Sequence, residues 1–188
     1  MSDVSRTRLL ELFRSRALLF GNFRLASGKE SPYYINSKRA LFHSECAALL
    51  GDALYEATKD LDIQAIGGLE VGALPMATAA VVRYHQAGRT LEGFFVRKQA
   101  KEHGSKERVE GVLEPGWRVA IVDDVLTTGG SALQAVEAVE ATGAQVVAVV
   151  CIVDRLQGAR EAIAPRYHYV PLFTIRDFGI EPPAPDAG

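Results

Sequence analysis

The chain has 188 residues, of which 48% are apolar and 23% charged; it is long enough for one domain with a core of its own and too ordinary in composition for a disordered or fibrous architecture. Its formal net charge of -2 excludes the broad basic face with which nucleic-acid binders neutralise phosphates, so any phosphate site must be local. Cys46 and Cys151 lie far apart in apolar contexts with no metal-ligand spacing, which reads as two reduced core thiols in a cytoplasmic protein.

The opening MSDVSRTRLLELFRSRALLF scatters charges through its apolar positions, so no signal peptide is expected. Instead Leu9, Leu12 or Phe13, and Arg16 to Ala17 recur at helical spacing and predict an amphipathic first helix. The next segment, GNFRLASGKESPYYINSKR, is rich in Gly, Ser, Asn and Pro yet carries aromatic and basic side chains. It reads as an ordered loop or a short hairpin and as a candidate binding segment. From Ser44 the apolar positions Ala47, Leu50, Leu54 and Ala57 predict a second helix, with Ser44 available to cap its first turn.

Beyond it, strand, turn and helix alternate. A short strand is expected at Gln64 to Ile66, then a turn at GGLEVGALP, an Ala-rich helix to about His85 and a strand near Gly93 to Val96. Further on come a strand at Trp117 to Val122, a helix at Ser131 to Thr142, a strand at Gln145 to Val153 and a last strand around Tyr169 to Ile175. Strands written as continuous Val and Ile runs between helices imply an α/β fold with a parallel sheet covered on both faces. The longest wholly apolar run, Val146 to Val153, has eight residues, too few to span a bilayer, so no membrane partner is expected. The Pro-rich end EPPAPDAG reads as a frayed tail.

The chemistry is concentrated in Val119 to Ser131, VAIVDDVLTTGGS. A buried strand ends in two acids, and Thr-Thr-Gly-Gly-Ser leads into a helix. Ligands of open parallel sheets sit beyond the carboxyl ends of the strands, where the next helix presents unpaired N–H groups to an anion. Gly129 and Gly130 allow close backbone approach, and the Thr127, Thr128 and Ser131 hydroxyls complete a cradle for a phosphate monoester. No lysine stands where a Walker sequence requires one. Asp123 and Asp124, placed by this reading on an exposed turn, can accept hydrogen bonds from the vicinal hydroxyls of a ribose or help to place a metal ion. A lone Asp-Asp pair more ordinarily ends a strand and caps the next helix; the thirteen-residue context decides for the functional reading.

This run resembles the 5-phosphoribosyl-1-diphosphate (PRPP) signature of type I phosphoribosyltransferases. The resemblance implies a central parallel sheet flanked by helices and a small N-terminal hood. All of it would lie in one domain, residues 1–188, with the hood formed mainly by residues 1–40 and the C-terminal segment. It also implies displacement of pyrophosphate from the anomeric carbon, with Mg2+ carried mainly by PRPP.

Three further segments resemble orotate phosphoribosyltransferases in particular, and the likeness extends from about Phe23 to Phe178. FRLASGKESPYYIN is similar to that family's N-terminal orotate segment, which implies that Tyr34 and Ile35 contact the base. The stretch from Arg97 to Gly104, RKQAKEHG, resembles a mobile catalytic loop RKxxKxHG. From Arg97 to Arg108 five Lys or Arg face two Glu, and cations closing over departing pyrophosphate stabilise the transition state while excluding water. In VDRLQGARE, Arg155 follows a buried strand; its guanidinium can pair bidentately with the orotate carboxylate, which uracil and hypoxanthine lack. PLFTIRDF resembles the closing strand.

By resemblance, PRPP is expected on Arg97, Lys98, Lys101 and His103 and on Asp123, Asp124, Val125, Leu126, Thr127, Thr128, Gly129, Gly130 and Ser131. Orotate is expected on Tyr34, Ile35, Thr127 and Arg155. Lys101 and His103 would stabilise the leaving group, and Asp124 would serve a proton or electrostatic role near the sugar. A homodimer in which each loop completes the neighbouring site is likewise implied. The sequence departs from the family at Ala26, where a basic residue is frequent, and at Val71 and Gly72, where a Tyr-Lys pair is frequent; Lys29 is a candidate for part of the missing charge, and Glu70 either acts through magnesium or simply faces solvent. The alternatives are a type I enzyme for another nucleobase and a PRPP-sensing regulator, against which stand the acidic balance and the lack of an appended helix-turn-helix. The chain also lacks room for an attached decarboxylase domain, so a single activity in pyrimidine nucleotide biosynthesis is expected.

Overall fold

The computed structural model describes residues 2–24, 30–99 and 108–182. Helix α1 (Asp3–Arg16) starts at Ser2, whose hydroxyl accepts from the Ser5 N–H at 3.2 Å. Asp3 lies in its first turn and Arg14 and Arg16 in its last, matching the helix dipole at both ends. Strands β1 (Leu18–Arg24) and β2 (Glu30–Ile35) pair antiparallel, so the hairpin is the correct reading of the Gly- and Ser-rich segment. A short helix α2 (Lys38–Leu41) leads into α3 (Ser44–Thr58). His43, not Ser44, occupies the cap of α3 and makes no side-chain bond there, because Ser44 is already the first helical residue.

The main sheet then forms from β3 (Ala65–Leu69), β4 (Glu92–Val96), β5 (Val109–Gly111), β6 (Arg118–Leu126), β7 (Gln145–Asp154) and β8 (His168–Thr174). Between these run α4 (Ala73–Gln86), α5 (Gly130–Glu140) and α6 (Ala159–Ile163), and a 3-10 turn closes at Ile175–Phe178. The spatial order is β5-β4-β3-β6-β7-β8, parallel throughout except for the short edge strand β5. That antiparallel edge was not legible as a strand in the sequence, since three residues carry no periodicity.

Side-chain alternation splits the core in two. Ala120, Val122, Ala148, Val150 and Ile152 pack with Leu9, Phe13, Leu50, Leu54, Met76 and Tyr84 of α1, α3 and α4. Val119, Ile121, Val149 and Cys151 pack with Ala132, Val136 and Val139 of α5 and with Ile163 of α6. Both sheet faces are therefore dry, which is why β6 and β7 are written as unbroken Val and Ile runs. None of the described helices is long and apolar enough to cross a membrane.

The connectivity positions the site. The chain enters the sheet at β3, runs outward to β4 and β5, then returns to β6 on the other side of β3 and runs outward again. The carboxyl ends of β3 and β6 thus flank the point where the winding reverses, the place where an open α/β sheet leaves a crevice for ligand.

Candidate active site

Strand β6 does not stop at Val122 as its apolar run predicts. The ladder with β7 continues through Asp123 opposite Cys151, Val125 opposite Val153 and Leu126 opposite Asp154. Both acids are therefore strand residues instead of lying on an exposed turn, and Asp123 is only 6% exposed. Its Oδ2 accepts from the Ser131 hydroxyl at 2.5 Å and its Oδ1 from the Asp124 N–H at 2.9 Å. Burial first, and then the adjacent Asp124 carboxylate, push the Asp123 carboxyl up to about 7.

Asp124 points to a different set of partners. The Ser37 hydroxyl donates to its Oδ2, and Lys38 Nζ stands 3.8 Å from the same oxygen. The Val125 N–H donates to Oδ1 at 2.9 Å. The turn between β3 and α4 presses against this carboxylate, since a Cβ at Gly72 would lie 2.6 Å from the Asp124 Oδ1. The peptide between Glu70 and Val71 in that turn is cis.

After β6, Thr127 and Thr128 lead to Gly129, which caps α5 at φ 86, in the left-handed region that glycine adopts without cost. A Cβ there would also approach Ile163 Cδ1 to 3.0 Å. The Ala159 N–H bonds the Thr127 carbonyl at 3.1 Å, tying this loop to the start of α6. Gly130 and Thr128 remain exposed at the N-terminus of α5, where unpaired N–H groups and the helix dipole favour a phosphate. Thr127, Thr128, Gly129, Gly130 and Ser131 are thus gathered with both acids, as the sequence predicts.

The basic segment is anchored at both ends. The Arg97 N–H donates to the Arg108 carbonyl at 2.8 Å, and Arg108 Nε to the Arg97 carbonyl at 3.2 Å. Arg97 also pairs with Glu110 at 3.6 Å, and the Lys98 N–H donates to Glu70 Oε1 at 3.0 Å. Glu70, at the end of β3, therefore joins the β3–α4 turn to the root of the basic loop. Lys101, His103, Ala26 and Lys29 lie outside the described residues.

Arg155 follows β7, its backbone N–H bonded to the Leu126 carbonyl at 2.9 Å. Its side chain is buried, with the guanidinium carbon 4.7 Å from the Tyr33 ring centroid and Nε donating to the Tyr33 hydroxyl at 3.2 Å. Among the described residues Arg155 forms no ion pair. Along β2 burial alternates, so Tyr33 and Ile35 face inward while Tyr34 is half-exposed and stacks beside Phe23 at 5.6 Å. The structure brings Tyr33 to Arg155; Tyr34 lies on the other side of its strand, and Ile35 is part of the core.

Residues 41–186 match the family model of the phosphoribosyl transferase domain. The chain is 42% identical over 182 residues to the orotate phosphoribosyltransferase of Mycobacterium tuberculosis strain H37Rv, covering 96% of this chain and all of that protein. The chain belongs to the orotate phosphoribosyltransferases. The crystal structure of the M. tuberculosis H37Rv family member in complex with Fe(III) dicitrate superposes with a TM-score of 0.83 at 42% identity, covering 94% of this chain and 99% of the other. The structure of the same M. tuberculosis protein with PRPP superposes with a TM-score of 0.79 at 40% identity over the same shares.

For an orotate phosphoribosyltransferase, three site residues escaped sequence reasoning. Ser37 and Lys38 lie in the segment singled out for its polar and basic content, so a signal existed, but nothing local tied them to Asp124. Tyr33 was masked by the tyrosine beside it. As for magnesium, the described residues contain no group of three or more His, Cys, Asp or Glu able to hold a metal ion unaided. Magnesium keeps much of its shell in water and substrate phosphates and asks for only one or two carboxylates, a demand that Asp123, Asp124 and Glu70 fit.

Proposed function

We propose that the site transfers the 5-phosphoribosyl group of PRPP to orotate, giving orotidine 5'-monophosphate and pyrophosphate, by positioning and charge stabilisation without a covalent intermediate. The 5-phosphate lies on Thr127, Thr128, Gly129, Gly130 and Ser131 at the start of α5. Asp123 and Asp124, with Val125 and Leu126 as backbone, receive the ribose hydroxyls. Arg97, Lys98, Lys101 and His103 line the pyrophosphate side. The pyrimidine nitrogen forms its bond to the anomeric carbon as the bond to pyrophosphate breaks. Lys101 and His103 receive the charge that develops on the departing oxygen, and Asp124 provides the electrostatic or proton-accepting group near the sugar. Asp123, Asp124 and Glu70 would help to hold a magnesium ion carried mainly by PRPP, which when bound would supply positive charge against the diphosphate.

Arg155 is the observation that carries the orotate assignment. A guanidinium 7% exposed, at the carboxyl end of β7 and without an ion pair among the described residues, is costly until an anion meets it. The orotate carboxylate is such an anion, and Thr127 is assigned to the ring beside it; the contacts expected of Tyr34 and Ile35 do not fit this geometry, because Tyr34 faces away from Arg155 and Ile35 is buried in the core. The hairpin β1–β2, with α1 and the C-terminal 3-10 turn, forms the hood of a single domain. In support, Arg6 of α1 donates to the Leu172 carbonyl at 2.9 Å and lies over the Phe173 ring at 4.7 Å.

The enzyme acts in pyrimidine biosynthesis in the cytoplasm, as a homodimer in which each basic loop completes the neighbouring site. Phe42, Val71 and Val82, 73%, 53% and 52% exposed, surround an apolar groove between α3 and α4. Val71 follows Glu70 directly, so this face is continuous with the site and supports it as the surface that meets a second copy.

Loss of orotate absorbance, followed with PRPP and magnesium, tests the reading. Orotate is expected to be consumed in a magnesium-dependent way, with Lys101→Ala abolishing most turnover and adenine, hypoxanthine and uracil inert. Turnover of another base would keep the sugar site and overturn the orotate assignment; PRPP binding without turnover of any base would favour a regulator.

A further inference from the structure

The orotate reading makes Arg155 the group that selects a substrate carboxylate. Resting on that reading, we propose that Tyr33 is a specificity-determining positioning residue: it aims the Arg155 guanidinium from the hairpin, so that carboxylate recognition is built jointly by β2 and β7.

The main chain around Arg155 is held on both sides. Its own N–H is bonded to the Leu126 carbonyl at 2.9 Å. Asp154, itself 1% exposed, accepts the Leu156 N–H at 2.7 Å on Oδ1 and stabilises the turn in which Leu156 takes φ 57. An arginine side chain retains several rotatable bonds beyond a fixed backbone, and Tyr33 removes that freedom. The guanidinium carbon lies over the ring, 4.7 Å from its centroid, and the hydroxyl accepts from Nε at 3.2 Å. With Nε engaged, the two terminal NH2 groups remain to grip a carboxylate end-on, the fork geometry that distinguishes it from a lone carbonyl.

Tyr33 is in turn set by its own strand. The Ser31 hydroxyl donates to the Tyr33 carbonyl at 2.7 Å and accepts the Tyr33 N–H at 3.4 Å. The alternation of β2 leaves Tyr33 as the inward member of the Tyr33-Tyr34 pair.

The test is a steady-state comparison of wild type, Tyr33→Phe, Tyr33→Leu and Arg155→Gln, with orotate and PRPP varied in turn at fixed magnesium. Tyr33→Phe, which keeps the ring and loses the hydroxyl, is expected to raise KM for orotate about fivefold, the effect of one hydrogen bond. Tyr33→Leu, which loses the ring as well, raises it several-fold further. In both, kcat and KM for PRPP stay within about twofold of wild type, a split that general loosening of the fold would not produce, and the partial rescue by Phe separates ring from hydroxyl. Arg155→Gln raises KM for orotate more than either. If Arg155→Gln has its effect and both Tyr33 variants leave KM for orotate unchanged, the role of Tyr33 is refuted and the substrate reading stands. Equal damage to KM for PRPP and to kcat would also refute it, as a structural effect. If Arg155→Gln leaves KM for orotate unchanged, the reading beneath the proposal falls and takes the proposal with it. Should Tyr33→Leu fail to fold, the nearly isosteric Tyr33→Phe decides alone.

Discussion

Asp123 is stabilising in one protonation state and destabilising in the other. Its carboxyl moves from an ordinary 3.8 to about 7 in the fold, chiefly through burial and then through Asp124. The fold therefore prefers the protonated form: the contribution is fully present below the lower value and is lost as the pH rises through the upper one. Above pH 7 the protein holds a buried carboxylate beside another, supported by the Ser131 hydroxyl. Asp123→Asn removes that charge while keeping its shape. It is expected to raise Tm at pH 8, by roughly 2–4 °C for each kcal/mol of relieved cost, with a smaller gain at pH 5 and a weakened KM for PRPP at both. Thermal melts at the two pH values decide; the same shift at both would mean that ionisation of Asp123 is not the source. If Asp123 serves as the proposed ribose acceptor, this sacrifice of stability is the expected pattern where function and folding compete.

At the scale of elements, β3 shows why its sequence is Ala65-Ile66-Gly67-Gly68-Leu69. It lies between β4 and β6 at the reversal of winding, with all five residues buried. A Cβ at Gly68 would stand 2.1 Å from the Val122 carbonyl and 3.0 Å from Ala73 Cβ, and one at Gly67 would stand 2.2 Å from the Phe94 carbonyl. The shortest of these contacts are with backbone carbonyls, which cannot swing aside as a flexible side chain can. Gly68→Ala is therefore expected to cost at least ~1–3 kcal/mol, the usual range for overpacking, measured as a lower urea midpoint. It should also weaken PRPP use, because Val122 directly precedes Asp123. An unchanged midpoint would show that β3 can shift within the sheet.

The whole molecule is a sheet covered on both faces with one face of its helical layer still apolar. The groove between α3 and α4 is rimmed by Phe42, Val71 and Val82 and carries only a few polar groups, among them the Arg83–Asp52 pair at 2.5 Å. Exposed apolar patches of this kind mark interaction surfaces. Under the proposed dimer, Phe42→Asp combined with Val82→Asp is expected to leave a monomer by sedimentation velocity where wild type sediments as a dimer, with activity falling in step, since a loop shared between subunits would then serve no neighbour. A dimer that persists in the double variant would place the contact elsewhere.

The fold class and the phosphate cradle were written locally. Continuous apolar runs alternating with helices specified a parallel sheet, and Thr-Thr-Gly-Gly-Ser specified the glycine-capped start of α5 on which the proposed phosphate site rests, because strand period, glycine conformation and helix ends depend on near neighbours alone. The edge strand β5 was too short to declare itself, and β6 outran its apolar run because its partner β7 continues. Ser37 meets Asp124 across 87 positions, and Tyr33 meets Arg155 across 122. Which of two adjacent tyrosines turns inward, and which arginine ends buried with no ion pair among the described residues, are set by how the hairpin sits against the ends of β6 and β7. That is a property of the assembled layers, and no local pattern in the sequence encodes it.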